Sequence, residues 1–304
     1  MRRAGFLTRA VVFLSFCCGT QAALRVTAIA AGGHHSLALT SDGTVWAWGY
    51  QDGASTRAVS AAPSLVGGLS EIVAISGGGT HSLAVRGDGT VWAWGFAGSW
   101  CGGGLGDGTT GISSTPIQAS GLSPVVAVAG GWMFSLALSR DGTVWAWGCA
   151  PFGQLGDLTR IPRATPTQVA SLTSVVAVAA GYGHALAVKD DGTVWAWGHN
   201  GSGQLGDGTV AANRVDPGRP IPRPVSGITG IVAVAGGFAH SLALKRDGTV
   251  WAWGSNDSGQ LGDGTTISRL TPIQVLGHGK HRHLHESRFL HPGSFEHSYT
   301  CRAR

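Results

Sequence analysis

The sequence predicts an all-β chain built as a β-propeller of four-stranded antiparallel blades, and three observations predict it. An octapeptide, Asp-Gly-Thr-Val-Trp-Ala-Trp-Gly, recurs without change at residues 42–49, 88–95, 141–148, 191–198 and 247–254. The steps between copies are 46, 53, 50 and 56 residues, the length of one propeller blade. The 304 residues include 50 glycines with no collagen period, which suits frequent tight turns between short strands and not helices. Finally, each octapeptide is preceded by two short apolar runs, and in all but the first repeat it is followed by a glycine-rich loop, degraded in the second to Gly103-Gly104-Leu105-Gly106.

The fourth repeat shows the elements in order. Val175-Val176-Ala177-Val178-Ala179-Ala180-Gly181 is short, apolar and rich in β-branched residues, so it reads as a buried strand. His184-Ala185-Leu186-Ala187-Val188 alternates large and small and reads as a second strand. Asp191-Gly192 supplies a tight hairpin whose turn residues need positive φ. Val194-Trp195-Ala196-Trp197 is the third strand, with both indoles on one face because side chains alternate. The loop Gly-Gln-Leu-Gly-Asp-Gly-Thr follows at residues 203–209. The fourth strand is unclear in this repeat. Its neighbours offer Thr115-Pro116-Ile117-Gln118, Thr165-Pro166-Thr167-Gln168-Val169 and Thr271-Pro272-Ile273-Gln274-Val275, where proline fits an edge position that needs no ladder N–H.

The small-residue strands suit the crowded channel at a propeller's centre. The tryptophan strands then lie further out, where the blades diverge and need bulk. Ten of the twelve tryptophans are therefore expected as interblade core: Trp46, Trp48, Trp92, Trp94, Trp145, Trp147, Trp195, Trp197, Trp251 and Trp253.

These motifs in fixed order resemble one family. Ala-Gly-Gly-x-x-His-Ser-Leu-Ala-Leu, then the octapeptide, then Gly-Gln-Leu-Gly-Asp-Gly-Thr, are similar to the repeat of the regulator of chromosome condensation family. The resemblance covers residues 23–276, and its Val-Trp-Ala-Trp-Gly flavour is similar to secreted bacterial members, those of the β-lactamase inhibitory type among them. It implies a propeller, usually seven-bladed. WD-repeat and kelch propellers match less well. Five repeats are visible here, which predicts an incomplete or open ring. The last blade should then expose an apolar flank, with self-association through that unclosed edge as one outcome.

The ends differ from the body. Residues 1–22 read as a secretory signal, with Arg2, Arg3 and Arg9, an apolar core over residues 10–18, and small residues before residue 23. That core is too short to span a bilayer, so no membrane span is expected after cleavage; an uncleaved anchor is the alternative. The expected location is secreted or periplasmic, in the cell envelope. Residues 277–304 form a polar tail holding six of the twelve histidines. The composition shifts inside a repeat, which points to a break in the reading frame; a metal-binding tail is the other reading.

The net charge of +5 comes from these ends, and the body over residues 23–276 carries −1. A nearly neutral body has no basic stripe for a phosphate backbone, so no nucleic acid is expected. Of the five cysteines, Cys101, Cys149 and Cys301 lie outside the leader. A Cys101–Cys149 bridge fits an oxidising compartment, but Cys101 and Cys149 read more simply as two buried thiols.

Nothing in the chain points to catalysis or a cofactor. His35, His81, His184 and His240 occupy the same place in their repeats, and Phe134 takes that place in the third. Packing explains both histidine and phenylalanine, whereas general base chemistry explains only histidine. The loop aspartates Asp107, Asp157, Asp207 and Asp263 stand one per repeat, whereas calcium needs several converging oxygens. Gly-Gln-Leu-Gly lacks the Gly-Lys-Ser/Thr of a phosphate loop.

Recognition is expected where repeats disagree. Strand alternation places the loop between strands one and two and the loop after Trp-Gly on one face, opposite the Asp-Gly turns. Two places before the repeated histidine stand Gly33, Gly79, Trp132, Tyr182 and Phe238. Just after Trp-Gly stand Tyr50, Phe96, Cys149, His199 and Ser255. Met133, Trp100 and Phe152 lie in the same loops, and residues 210–224 form an insertion with Arg214, Arg219 and Arg223. Aromatics, Met and Arg on one face are the residues of protein interfaces. The sequence thus predicts a secreted, non-enzymatic propeller that binds a protein, or a wall glycan, through aromatic loops. Guanine-nucleotide exchange on a small GTPase, and enzyme inhibition of the β-lactamase inhibitory type, are the alternatives the resemblance carries.

Overall fold

The computed structural model describes residues 24–50, 59–96, 104–122, 124–211 and 218–276. The leader, Trp100, Cys101, Arg214 and the His-rich tail lie outside the described residues. Five four-stranded antiparallel sheets span residues 26–65, 72–118, 125–168, 175–224 and 231–274, here called blades 1 to 5. In each the strands pair in sequence order, a simple meander, and no helix occurs among the described residues. The fourth strand that the sequence left unclear in blade 4 is Gly218–Pro224, the second half of the stretch read from the sequence as an insertion.

The register follows the hydrophobic pattern. In blade 4, Leu186 faces Ala196 and Val188 faces Val194 across the hairpin. The hairpin turn differs from the expected pair of positive-φ residues. Gly192 alone has positive φ, at 77°, and Gly192 N–H donates to the Lys189 carbonyl at 2.9 Å. This is a three-residue loop, a tight turn closed by one left-handed glycine. The aspartate is free to cap it: Asp191 Oδ1 accepts the Thr193 amide at 2.8 Å and the Thr193 hydroxyl at 2.6 Å. These bonds favour the anion and hold the Asp191 carboxyl below its ordinary range.

The core sits in the seams between blades. The trailing face of one blade presents two large aliphatics from its second strand and one from its third. The leading face of the next presents alanine and the second tryptophan of the octapeptide. Between blades 3 and 4, Leu136, Leu138 and Val144 pack with Val178, Ala187 and Trp197 in one buried cluster. Trp94, Trp147, Trp197 and Trp253 are at most 3 % exposed. The first tryptophans, nearer the hairpin tip, are only half-buried. There Arg86 lies over Trp92 at 4.7 Å and Lys189 over Trp195 at 5.4 Å. The ten indoles thus divide into one buried and one half-covered set, and Trp48 of blade 1 is the exception to the buried set.

The ring is open. Inner strands of successive blades pack side by side from blade 1 to blade 5. Ile75, Val128, Val178 and Val234 on the leading sides of blades 2 to 5 are 4–7 % exposed, whereas Ile29 in blade 1 is 47 % exposed. A channel of about 910 Å³ runs along the inner strands and is lined chiefly by alanine, glycine and valine.

Candidate functional site

The two variable loop kinds are stitched together on one face by backbone hydrogen bonds. Tyr50 N–H donates to the His34 carbonyl, Phe96 N–H to Thr80, Cys149 N–H to Met133 and His199 N–H to Gly183, all at 2.8–2.9 Å. A second set runs from blade to blade around the channel mouth. Gly33 N–H donates to Gly78 O, Gly79 N–H to Gly131 O, Trp132 N–H to Tyr182 O, and Tyr182 N–H to Gly237 O, at 2.9–3.2 Å.

On this belt the aromatic side chains form a continuous track. Trp132 stacks on Tyr182 at 5.3 Å between ring centroids, and Tyr182 lies 4.3 Å from Phe238. His34 meets the far side of Trp132 edge-on at 6.4 Å. These are the offset and edge geometries that aromatic quadrupoles favour. Phe238, at the end of the track, is 69 % exposed. Gly33 and Gly79 stand where the later blades carry aromatics, and the structure gives the reason. Backbone and indole together crowd them: a Cβ on Gly79 would collide with the Trp132 carbonyl oxygen and meet Trp132 Cε3 at 2.7 Å, and one on Gly33 would meet the Gly79 carbonyl oxygen at 2.6 Å and Trp132 Cζ3 at 3.1 Å.

A second pair abuts the track. Phe152 and His199 rings lie 4.4 Å apart, and both crowd Gly183, next to Tyr182. Gln204 bonds His199 Nδ1 at 2.8 Å, and burial lowers the His199 pKa. The structure therefore joins Trp132, Tyr182, Phe238, Phe152 and His199 into one surface. Tyr50, at the end of the third strand of blade 1, and the loop residues Phe96 and Met133 are half-buried on the same face. His34, absent from the sequence-derived set, joins it; its neighbour His35 drew attention as the repeated residue. Cys149 is a correction. It is 3 % exposed and disulfide-bonded, not a free buried thiol.

The repeated histidines lie below this surface and have a role that sequence reading missed. Three of the four reach across a seam to a serine of the next blade: His35 Nε2 to Ser82 Oγ at 2.9 Å, His81 to Ser135 at 2.9 Å, and His184 to Ser241 at 3.0 Å. The proton positions follow at the last seam. Ser241 Oγ–H donates to the Gln204 carbonyl at 2.8 Å, so its oxygen accepts from His184 Nε2–H. The same carbonyl accepts Trp253 Nε1–H at 2.8 Å. Burial pushes His81 down to about 4 and His184 to about 3, with neighbouring histidines adding a smaller push. Both are neutral clamps without solvent access at neutral pH, unsuited to proton transfer with a substrate. The signal was present in the sequence. Phe134 replaces the histidine in blade 3, and Ala185 replaces the serine one blade later.

The loop aspartates serve their own turns. Asp157 pairs with Arg163 at 2.8 Å and Asp263 with Arg269 at 2.6 Å. Asp107 and Asp207 each hold the threonine two residues on. Among the described residues, no group of three or more His, Cys, Asp or Glu converges, and no helix is long and apolar enough to cross a membrane.

Comparison with known proteins fits this architecture. Residues 9–293 match the RCC1-like domain family. The chain is 34 % identical over 261 residues to the human E3 ubiquitin-protein ligase HERC2 and 30 % identical over 259 residues to the ultraviolet-B receptor UVR8 of Arabidopsis thaliana. Each match covers 83 % of this chain, which spans 5 % and 46 % of those two proteins. Among solved structures, Prp20p of Saccharomyces cerevisiae superposes with a TM-score of 0.71 at 26 % identity, covering 82 % of this chain and 65 % of Prp20p. With five meander sheets, histidine and tryptophan seams and this match over most of its length, the chain belongs to the RCC1-like domain family.

Proposed function

We propose that the protein is a secreted, non-catalytic propeller scaffold that binds a protein partner through the aromatic track. The observation that carries the reading is the run of rings from His34 to Phe238, ending in a phenylalanine that is 69 % exposed. A rigid belt of backbone hydrogen bonds holds these rings in place, so a partner pays little ordering cost on docking. Large aromatics of this kind are the usual anchors of protein interfaces. Structural relatives lend the protein-binding class. Prp20p has binding properties toward Gsp1p and histones and is bound by Kap60. Secretion rests on the leader pattern of residues 1–22 and on the buried, disulfide-bonded Cys149.

The test is a pull-down from the secreted fraction with Trp132, Tyr182 and Phe238 each changed to Ala. Partner recovery should fall at least tenfold for the triple variant, while an Asp191→Ala control on the opposite face retains it. Unchanged recovery by the triple variant removes the aromatic track as the docking surface. Nucleotide release from a small GTPase, lost in the same triple variant, would instead place the chain with the exchange factors.

A further inference from the structure

In blades 4 and 5 the glutamine of the Gly-Gln-Leu-Gly loop holds the first residue after Trp-Gly. The backbone fixes its amide in one orientation. Gln204 Oε1 accepts the Ser202 N–H at 2.8 Å, and Gln260 Oε1 accepts the Ser258 N–H at 2.9 Å. The amide nitrogen then faces the other way, as a donor. In blade 5 it donates to Ser255 Oγ at 3.2 Å. In blade 4 it meets Nδ1 of His199, the last residue of the strand Val194–His199, at 2.8 Å. An amide nitrogen only donates, so Nδ1 accepts and the proton of neutral His199 sits on Nε2. The same ring lies 4.4 Å from Phe152, and its Nε2 edge closes on Gly201, where a Cβ would come within 2.9 Å. Phe152 in turn covers Gly183, beside Tyr182; a Cβ there would meet Phe152 Cδ2 at 2.8 Å.

We propose that His199 and Gln204 form a pH-sensitive latch on the aromatic face: neutral His199 is held against Phe152, and protonation releases its ring and opens the surface beside Tyr182. An imidazolium carries N–H on both nitrogens, so its Nδ1–H points at the donor hydrogens of Gln204. Turning the amide over only moves the conflict, because its NH2 then faces the Ser202 N–H. The cation has no acceptor in that place, and the ring leaves it. Burial favours the neutral ring in the same direction. The charges around it do not reverse this. His184, on the neighbouring strand, is buried and neutral. Arg160 donates to the carbonyl of Gly218, the strand partner of His199, and Arg219 pairs with Gly198; both are cations. The carboxylates of the two adjoining loops are committed, Asp207 to Thr209 and Asp157 to Thr159 and Arg163. Blade 5 has the same glutamine but holds a serine, which does not titrate. The latch is therefore closed at neutral pH and opens as the pH falls through the His199 midpoint. It rests on the proposed recognition face only for its consequence, the reshaping of that face in acid.

The experiment follows the histidine and phenylalanine rings of the isotope-labelled full-length chain by NMR. The pH is lowered from about 8, through the range where histidine titrates, for as long as circular dichroism shows the native fold. The His199 signals are those missing from His199→Ser. In the wild-type chain they should show the Nε2–H tautomer at the start, and the Phe152 ring signals should shift together with the His199 titration. In His199→Ser, which copies the arrangement of blade 5, the Phe152 signals should stay constant with pH. In Gln204→Glu a carboxylate accepts the Nδ1–H of the cation, so the His199 midpoint should rise by about one pH unit or more and Phe152 should no longer follow it. An Nδ1–H tautomer in the wild-type chain overturns the proposal. So does a His199 ring that stays neutral until the fold is lost, a Phe152 ring that ignores its titration, or a Phe152 shift that persists in His199→Ser. The spectra need no partner, so the latch can fail while the triple variant still loses its partner, and the docking surface can fail while the latch still opens.

Discussion

The seam between blades 3 and 4 and the seam between blades 4 and 5 have one shape and two chemistries. At the first, Phe134 faces a blade that carries Ala185; at the second, His184 bonds Ser241 at 3.0 Å. Both rings rest on the glycine three residues earlier, Gly131 and Gly181, where a Cβ would collide with them. The ring's volume is what the seam requires. Polarity is optional, provided both partners change together, because a lone buried donor costs more than a satisfied pair contributes. This difference teaches why a histidine repeated in four blades is no catalyst: the position selects a flat ring, and the hydroxyl across the seam decides which one.

The largest expected effect is on pH dependence. His81 and His184 titrate near 6.5 when exposed in the unfolded chain and at about 4 and about 3 when folded. The unfolded state therefore binds more protons as the pH falls below 6.5, and stability is lost between 6.5 and the folded values. Each clamp should forfeit about 3–5 kcal/mol across that window, because every tenfold difference in proton affinity between the two states is worth about 1.4 kcal/mol. Converting one seam into the other, with His184→Phe and Ser241→Ala together, should remove that seam's share. Urea denaturation at pH 7 and pH 4 reads the difference; an unchanged pH slope in the double variant would refute the assignment.

Next in size is the reverse exchange. Phe134→His alone keeps the ring but strands a donor against Ala185, and should cost about 1–3 kcal/mol. Adding Ala185→Ser should recover most of that loss. A double-mutant cycle by chemical denaturation measures the coupling, and additive losses would show that the two positions do not communicate. The smallest effect belongs to His240, which has the same place in its blade but no serine opposite. His240→Ala should cost about 1 kcal/mol or less, well below His184→Ala by the same assay, since little buried bonding is lost.

Much of the fold was legible because the octapeptide is a turn, a strand and a seam anchor in eight residues, and its copies do not vary. Asp42-Gly43-Thr44 fixes a hairpin, and Trp48 or its counterparts fix which face is interblade. What escaped was relational. The His–Ser clamp joins residues 47 to 57 positions apart, so it is visible in the sequence only as the paired departure of Phe134 and Ala185. The aromatic track was legible as a list of residues, but not its order, nor that Trp132 folds back over Gly33 and Gly79 and so needs them bare. His34 was hidden beside its repeated neighbour. The first and second indoles of each octapeptide look equivalent in sequence, and their depth below the surface separates them only in the folded blade.

The paired residues at each seam also act as a rule of succession for the repeats. Blades 1, 2 and 5 each enter with serine and leave with histidine, so any of them can follow any other. Blade 3 leaves with phenylalanine and blade 4 enters with alanine, so these two must travel together. Duplicating blade 2, or deleting it, preserves every junction. Inserting blade 1, 2 or 5 between 3 and 4 creates two faulty ones at once, a phenylalanine against serine and a histidine against alanine. A chain that grows and shrinks by whole repeats thus carries, in ten side chains, a record of which cuts it can survive.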